Sequence, residues 1–114
     1  MMSHVVSSYS ALNGLRESWS RLAVPFGNPL FDHDWHLSCA EAFYDEHQLK
    51  VVVVESKERI AAIAPMVCVR KNGVERLEVL GASRLGEPCG LLYDSVESLL
   101  ALVSALLRLK RPVV

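Results

Sequence analysis

The chain has 114 residues, close to the commonest size of a single domain, so one hydrophobic core is expected over residues 1–114. Hydrophobic residues make up 51% and charged residues 22%, proportions typical of a globular protein rather than a disordered one. The formal net charge is -1 at pH 7, and the sequence has no lysine- and arginine-rich cluster. These features argue against nucleic acid as a partner.

The segment Met1–Ser10 lacks both a basic region and an apolar region of the secretory type, so a cytoplasmic protein is expected. The most apolar stretch, residues 91–109, is interrupted by charges and is shorter than a membrane span, so no membrane association is expected. An odd number of cysteines without a CxxC pair indicates a reducing compartment. They are Cys39, Cys68 and Cys89.

The first third of the chain predicts a short strand at His4–Ser7 and then a helix from Ser10 to about Leu22. Apolar residues in this helix recur every three or four positions, which is the helical period. Pro25 ends the segment. The apolar positions are Leu12, Leu15, Trp19 and Leu22.

A second helix is predicted to begin at Asp32, whose side chain can cap it, and to run to about Asp45 or Glu46. Its expected core face contains Trp35, Cys39, Ala42 and Phe43.

The middle of the chain predicts an antiparallel meander. Leu49–Val54 contains four consecutive valines and is expected to be a strand buried on both faces. A second strand, Arg59–Arg70, is expected to be irregular at Pro65, which cannot donate a ladder hydrogen bond. Asn72-Gly73 predicts a two-residue hairpin into a third strand, Glu75–Leu80, with Glu78 on its wetter side.

The last third predicts a glycine-rich loop at Gly81–Gly90, a short strand at Leu91–Tyr93 and a helix from Asp94 to about Lys110. Val113 and Val114 are expected to begin a further strand. The main apolar stripe of the third helix contains Val96, Leu99, Leu100, Val103, Leu106 and Leu107.

This third helix carries apolar residues around most of its circumference, more than one sheet face can cover. The residues outside the main stripe include Ala101, Leu102, Ala105 and Leu109. We therefore expect the chain to self-associate through this helix and the terminal strand, and we expect lysine at Leu102 and Leu109 to favour the monomer.

The predicted fold class is α/β of the α+β type: an antiparallel β meander with two N-terminal helices and a C-terminal helix. This order resembles the opening of the GNAT acyltransferase fold. The amino-acid sequence of several segments resembles the GNAT branch described as cellulose-biosynthesis-associated acetyltransferase-like. The segments that carry the resemblance are Asn28-Pro29-Leu30-Phe31, Leu49–Val54, Ile60–Met66 and Leu77–Gly81.

The resemblance implies that the chain is the N-terminal half of an acyl-CoA-dependent N-acyltransferase, with acetyl-CoA or another acyl-CoA as cofactor of the full-length protein. A typical member cradles the CoA pyrophosphate in a glycine-rich loop at a helix N-terminus, which suits anions. Arg84–Gly90 has its glycines at other offsets, and Tyr93–Val96 has none. No cofactor is therefore expected for this chain alone, and the missing C-terminal half is an expected partner.

The loop from Arg84 to Gly90, with Tyr93 at its far end, is the best candidate for substrate contact, because glycine-rich loops that follow strands often carry function. The predicted substrate-binding residues are Arg84, Glu87 and Tyr93. The catalytic residues are not assigned.

Three alternatives compete with these readings. His33, His36 and Cys39 are spaced by three, but the first and third point about 240° apart on a helix, which favours structural roles over a metal site. Cys89 with His47 and Asp94 has no local feature that activates the thiol. The alternative to an enzyme is a noncatalytic, dimerising scaffold or regulatory module built on an acyltransferase-like half-fold.

Overall fold

A computed structural model describes residues 1–27, 31–80 and 90–109, and for Lys71 the backbone alone. Helices and antiparallel strands are mixed, so the α+β prediction is confirmed. One sheet has the strand order β1-β2-β3-β6, and β4 and β5 form a separate two-stranded sheet. The elements in chain order are β1 (Met2–Val6), α1 (Tyr9–Asn13), α2 (Arg16–Ala23), a 3-10 turn (Val24–Phe26), α3 (His33–Phe43), a second 3-10 turn (Glu46–Gln48), β2 (Val51–Ser56), β3 (Arg59–Ala64), β4 (Met66–Lys71), β5 (Val74–Val79), β6 (Leu92–Tyr93) and α4 (Val96–Arg108).

Strand β2 is buried on both faces, as its valines predict. Val51 and Val53 belong to a core shared with α1, α2 and α3, whereas Val52 and Val54 belong to a second core under α4. All four are almost completely inaccessible to solvent. Burying each side chain is worth about 1.5–3 kcal/mol. This strand therefore holds the two helical layers together.

The first predicted helix is two helices, with Gly14 between them. Gly14 is the C-cap of α1, and its amide donates to the carbonyls of Ser10 and Leu12. Leu15 then begins α2 without a side-chain cap. The apolar period continues across the break, since Leu12 and Trp19 are both fully buried. A glycine in a helix interior lowers helix stability by about 1 kcal/mol relative to alanine. At Gly14 the helix is interrupted, so the glycine lies at a helix end instead.

Pro65 separates two strands that were predicted as one. β3 lies in the four-stranded sheet, whereas β4 pairs with β5. Proline has no amide hydrogen for a ladder, so the irregularity expected at this position becomes a change of sheet. The hairpin stays attached to the main sheet because the Lys50 amide donates to the Met66 carbonyl at 2.9 Å.

The prediction that Glu78 faces water is wrong, because Glu78 is 2% exposed. It stands opposite Val67 in the hairpin register, and Val67 forms a β-bridge with Leu49. This face of the hairpin is therefore turned toward the core.

The Asn72-Gly73 hairpin is confirmed. Lys71 pairs with Val74, and Asn72 and Gly73 have φ angles of 52° and 77°. A type I′ turn needs positive φ at both central positions.

Gly73→Ala is expected to lower the unfolding free energy by about 1 kcal/mol, because an L side chain is disfavoured at this φ. No atom of the described residues lies within 4 Å of a Cβ added at Gly73, so the expected effect comes from the backbone conformation and not from a clash with them. Urea unfolding measures the change, with Asn72→Gly as the control that keeps the turn geometry. A Gly73→Ala midpoint equal to that of the wild type would contradict the turn assignment.

The buried face of helix α3 shares only Cys39 with the predicted core face. His33, His36, Cys39 and Ala40 are its buried residues, whereas Trp35 is half-buried and Phe43 is 42% exposed. The core role expected for Trp35 is therefore wrong. Trp35 and Phe43 instead line a shallow apolar depression on the outer side of the helix. The helix ends at Phe43, earlier than predicted.

Helix α4 begins one residue later than predicted. Most of its main apolar stripe is turned outward, at Val96, Leu100, Val103 and Leu107, whereas Leu106 of that stripe is buried. Ser95 is the N-cap and forms a reciprocal capping box with Ser98. Leu102, Ala105 and Leu106 pack on the sheet. Lysine at Leu102 would thus disrupt the core, which corrects the substitution proposed from the sequence. The predicted end at Lys110 and the strand at Val113 and Val114 lie outside the described residues.

Candidate functional site

Of the three predicted substrate-binding residues, Tyr93 can be placed. It lies on β6, opposite Ala62 of β3, and is half-buried. Its ring meets Phe26 edge-on with centroids 5.5 Å apart, and Phe26 stacks on Phe31 at 4.8 Å. Arg84 and Glu87 lie outside the described residues.

Tyr93 lines a cleft of about 380 Å³, here called the Tyr93 cleft, where β6 leads into α4 and the segment after α2 passes by. Two hydrogen bonds to backbone carbonyls of β3 hold the walls of this cleft in place. The Asp94 amide donates to the Ala61 carbonyl at 3.1 Å, and the Arg21 guanidinium donates to the Ile60 carbonyl. The lining residues are Arg21, Leu22, Pro25, Phe26, Tyr93, Asp94, Ser95 and Val96.

The Tyr93 cleft combines an aromatic and aliphatic wall with a charged rim. Asp94 accepts a hydrogen bond from Arg59 at 2.7 Å and another from the Ser98 hydroxyl at 2.9 Å. Such a cleft suits an organic ligand whose apolar body packs on the rings while a polar end stays near the rim.

The N-terminus of α4 is poorly suited to the phosphates of CoA. The Ser98 amide donates to the Ser95 hydroxyl at 3.1 Å, which uses a donor that an anion would need. The carboxylate of Asp94 stands beside this turn, and Glu97 lies within it. Acidic groups already meet the helix dipole there, so a pyrophosphate would face repulsion.

A second cleft, of about 450 Å³, lies on the other side of the Val24–Phe26 turn and is here called the His33 cleft. Arg16 of α2 forms an ion pair with Asp34 of α3 at its edge. His33 is 2% exposed, and its Nε2 lies 2.7 Å from the Leu12 carbonyl. The lining residues are Arg16, Ser20, Ala23, Val24, Gly27, Asp32, His33 and Asp34.

His33 and His36 pack around Trp19 rather than around a shared metal position. The Trp19 ring centroid lies 5.4 Å from that of His33 and 5.0 Å from that of His36. His36 Nδ1 donates to the Asp32 carbonyl at 2.9 Å, and burial lowers the pKa of His36 to about 4. Burial also raises the pKa of the Cys39 thiol. Within the described ranges, no three His, Cys, Asp or Glu residues converge as metal ligands.

The Cys89, His47 and Asp94 combination gains no support. Cys89 lies outside the described residues. His47 is exposed and lines a cleft with Lys50, Cys68 and Glu75, whereas Asp94 lines the Tyr93 cleft.

Sequence reasoning missed the His33 cleft. The sequence feature that marks this cleft is the polar triplet Asp32-His33-Asp34 at the start of a helix. The structure shows that the middle residue of the triplet is buried. Sequence spacing marks the helix start but does not show that the carbonyl of Leu12, 21 positions earlier, receives the imidazole.

In comparisons with known proteins, no protein family, no curated protein and no solved structure matches the chain. Across the part of the chain that the structure describes, no helix has the length and apolar character needed to cross a bilayer.

Proposed function

We propose that this chain is the acceptor-side portion of an acyl-CoA-dependent N-acyltransferase of the GNAT type, and that sequence outside it binds the acyl-CoA. The observation that carries the proposal is the Tyr93 cleft, which opens where the last strand of the antiparallel sheet leads into a packed helix. The sequence resemblance adds the reaction class. A cytoplasmic location accompanies the proposal, since the odd number of cysteines suits a reducing compartment.

The reaction would form a bond between the acceptor nitrogen and the thioester carbonyl carbon while the carbon–sulfur bond of acyl-CoA breaks. The proton lost by the nitrogen would finally reside on the CoA sulfur. In this division, Tyr93 and Phe26 hold the apolar body of the amine, and positioning of this kind supplies much of the rate of a two-substrate reaction. The crowded, acidic start of α4 supports a phosphate site elsewhere.

The test is a free-thiol assay on the product of the complete reading frame that contains these codons, with a panel of primary amines and acetyl-CoA. We expect CoA release that requires both substrates. Tyr93→Ala should raise KM for the amine about fivefold, since one aromatic contact is worth about 1 kcal/mol. The KM for acetyl-CoA should not change.

Tyr93→Phe is the matched control, because it keeps the ring and should leave both KM values near wild type. A reading frame that ends at Val114 and a product that releases no CoA would contradict the acyltransferase proposal. An equal rise in both KM values for Tyr93→Ala would instead show that the Tyr93 cleft is not the binding site of the amine.

The second candidate is a noncatalytic scaffold or regulatory module that dimerises. The outward apolar stripe of α4 favours it, since Val96, Leu100 and Leu107 are each more than 60% exposed. Such a helix face is typical of an interaction surface. The two candidates are separated by the thiol assay, because dimerisation alone releases no CoA.

A further inference from the structure

We propose that the His33 cleft binds the primary ammonium group of a small cationic ligand, with His33 Nδ1 as a buried acceptor. This inference does not depend on acyl transfer, because it rests on groups that the proposed function does not use.

The tautomer of His33 follows from one contact. Nε2 lies 2.7 Å from the Leu12 carbonyl oxygen, which can only accept, so Nε2 must carry the hydrogen. In the neutral ring Nδ1 then holds a lone pair and can only accept. Nδ1 has no hydrogen-bond partner among the described residues, although His33 is 98% buried. Buried polar atoms without a partner are rare in native proteins and indicate a missing ligand or water.

His33 is one of the residues that line the cleft, and its Nδ1 lies near Asp34 at the cleft edge. Nδ1 is 3.9 Å from Asp34 Oδ1, too far for a hydrogen bond, and Asp34 is held at the cleft edge by Arg16. The side chains of Arg16 and Asp34 are 49% and 75% exposed. An exposed ion pair of this kind contributes little stability, so it can rearrange to admit a ligand.

Besides Arg16, which is paired with Asp34, the polar side chains of the cleft can accept hydrogen bonds. Asp32 is the N-cap residue of α3, but its carboxylate makes no capping hydrogen bond. Ser20 adds a hydroxyl. The charged residues that line the cleft are Arg16, Asp32 and Asp34, whose formal charges sum to a negative value. Three N–H donors and one positive charge, the features of a primary ammonium, complement this set.

An anion is the competing ligand, because a helix N-terminus attracts negative charge. Two carboxylates, Asp32 and Asp34, already occupy this terminus, and Arg16 is paired with the second of them. The Nδ1 lone pair would in addition face the oxygens of an anion. The charges of the cleft therefore favour an ammonium over a phosphate.

The experiment is a titration of the 15N-labelled chain with methylammonium chloride at pH 7.5, followed by amide and imidazole nitrogen shifts. We expect saturable binding with Kd of about 1–10 mM, in the range of a single small polar group. The shifts should centre on Arg16–Ala23 and Phe31–Asp34, and the His33 Nδ1 resonance should move. Tetramethylammonium chloride, which has the charge but no N–H donor, should cause no such shift.

His33→Gln is designed to keep a donor to the Leu12 carbonyl while removing the Nδ1 acceptor, and it should weaken binding at least fivefold. Asp32→Asn should weaken it similarly, which provides a second test if the His33 variant fails to fold. His47→Gln, at an exposed histidine outside the cleft, is the matched control and should bind like the wild type.

Equal chemical-shift changes with tetramethylammonium would show that the cleft attracts positive charge without recognising N–H donors, and would overturn the proposal. Saturable binding of sodium phosphate at the same residues would show an anion site and overturn it as well. An unmoved His33 Nδ1 resonance at 100 mM methylammonium would also contradict it. None of these outcomes depends on CoA release, so they are distinguishable from failure of the proposed function.

Discussion

Lowering the pH from 7 to 4 is expected to remove about 3 kcal/mol of unfolding free energy through His36 alone. His36 is fully buried between α3 and Trp19, and burial lowers its pKa from 6.5 to about 4. The hydrogen bond to the Asp32 carbonyl opposes this shift, and His33 adds to it.

The sign of the change in unfolding free energy with pH follows from proton binding. Between pH 6.5 and 4 the unfolded chain protonates this histidine while the folded chain keeps it neutral. The stabilisation by the neutral ring is therefore complete above pH 6.5 and is lost as the pH falls toward 4.

The measurement is urea unfolding at a series of pH values, comparing the wild type with His36→Asn. Asparagine can still donate to the Asp32 carbonyl but does not titrate, so the variant should be less stable at pH 7 and lose less between pH 6.5 and 4. His47→Asn, at an exposed site, should follow the wild-type profile. Parallel profiles for His36→Asn and the wild type would show that His36 does not cause the acid sensitivity.

Self-association through the outer face of α4 is the second large expected effect. This α4 stripe consists of Val96, Leu100, Val103 and Leu107, which are 69%, 62%, 39% and 72% exposed. Their spacing of four, three and four residues is that of a coiled-coil seam. Covering each leucine would contribute about 1.5–3 kcal/mol.

We expect a second copy of the chain to cover the α4 stripe with the two helices running antiparallel about a two-fold axis. Val96 then meets Leu107 of the other copy, and Leu100 meets Val103, so the stripe is complementary to itself. Glu97 and Arg108 lie on one flank near opposite helix ends. The antiparallel arrangement brings Glu97 of one copy toward Arg108 of the other, which adds charge complementarity.

Replacing Leu100 and Leu107 together by lysine should raise the dimer dissociation constant at least 100-fold, or about 2.7 kcal/mol. Light scattering after size exclusion across a dilution series measures the change. Val24→Lys, at a valine that is 75% exposed elsewhere, should leave the dimer intact. Leu102→Lys should unfold the chain instead, since Leu102 is fully buried. A monodisperse wild-type monomer at every concentration would refute this interface.

Local signals predicted the parts of the fold that depend on neighbours in sequence. Four valines identified β2, and Asn72-Gly73 identified the hairpin, because β-branching and positive φ are properties of the residues themselves. Tyr93 was likewise found from the short strand after the glycine-rich loop.

The choice of helix face could not be predicted in the same way. α4 is apolar on nearly all sides, so its sequence does not say whether Leu102 or Leu100 meets the sheet. In α3 the histidines take the core face instead of Trp35, because the backbone carbonyls of Leu12 and Asp32 each accept a hydrogen bond from one ring nitrogen, Nε2 of His33 and Nδ1 of His36. Those partners are supplied by the tertiary fold, and one of them lies 21 residues away.

The central claim is that these residues form the acceptor side of an acyltransferase while the phosphates of acyl-CoA bind elsewhere. Calorimetric titration of the 114-residue chain with acetyl-CoA tests this division most directly. The occupied N-terminus of α4 predicts no saturable heat up to about 1 mM acetyl-CoA. A saturable titration with micromolar Kd would place the acyl-CoA site within this chain and contradict the claim.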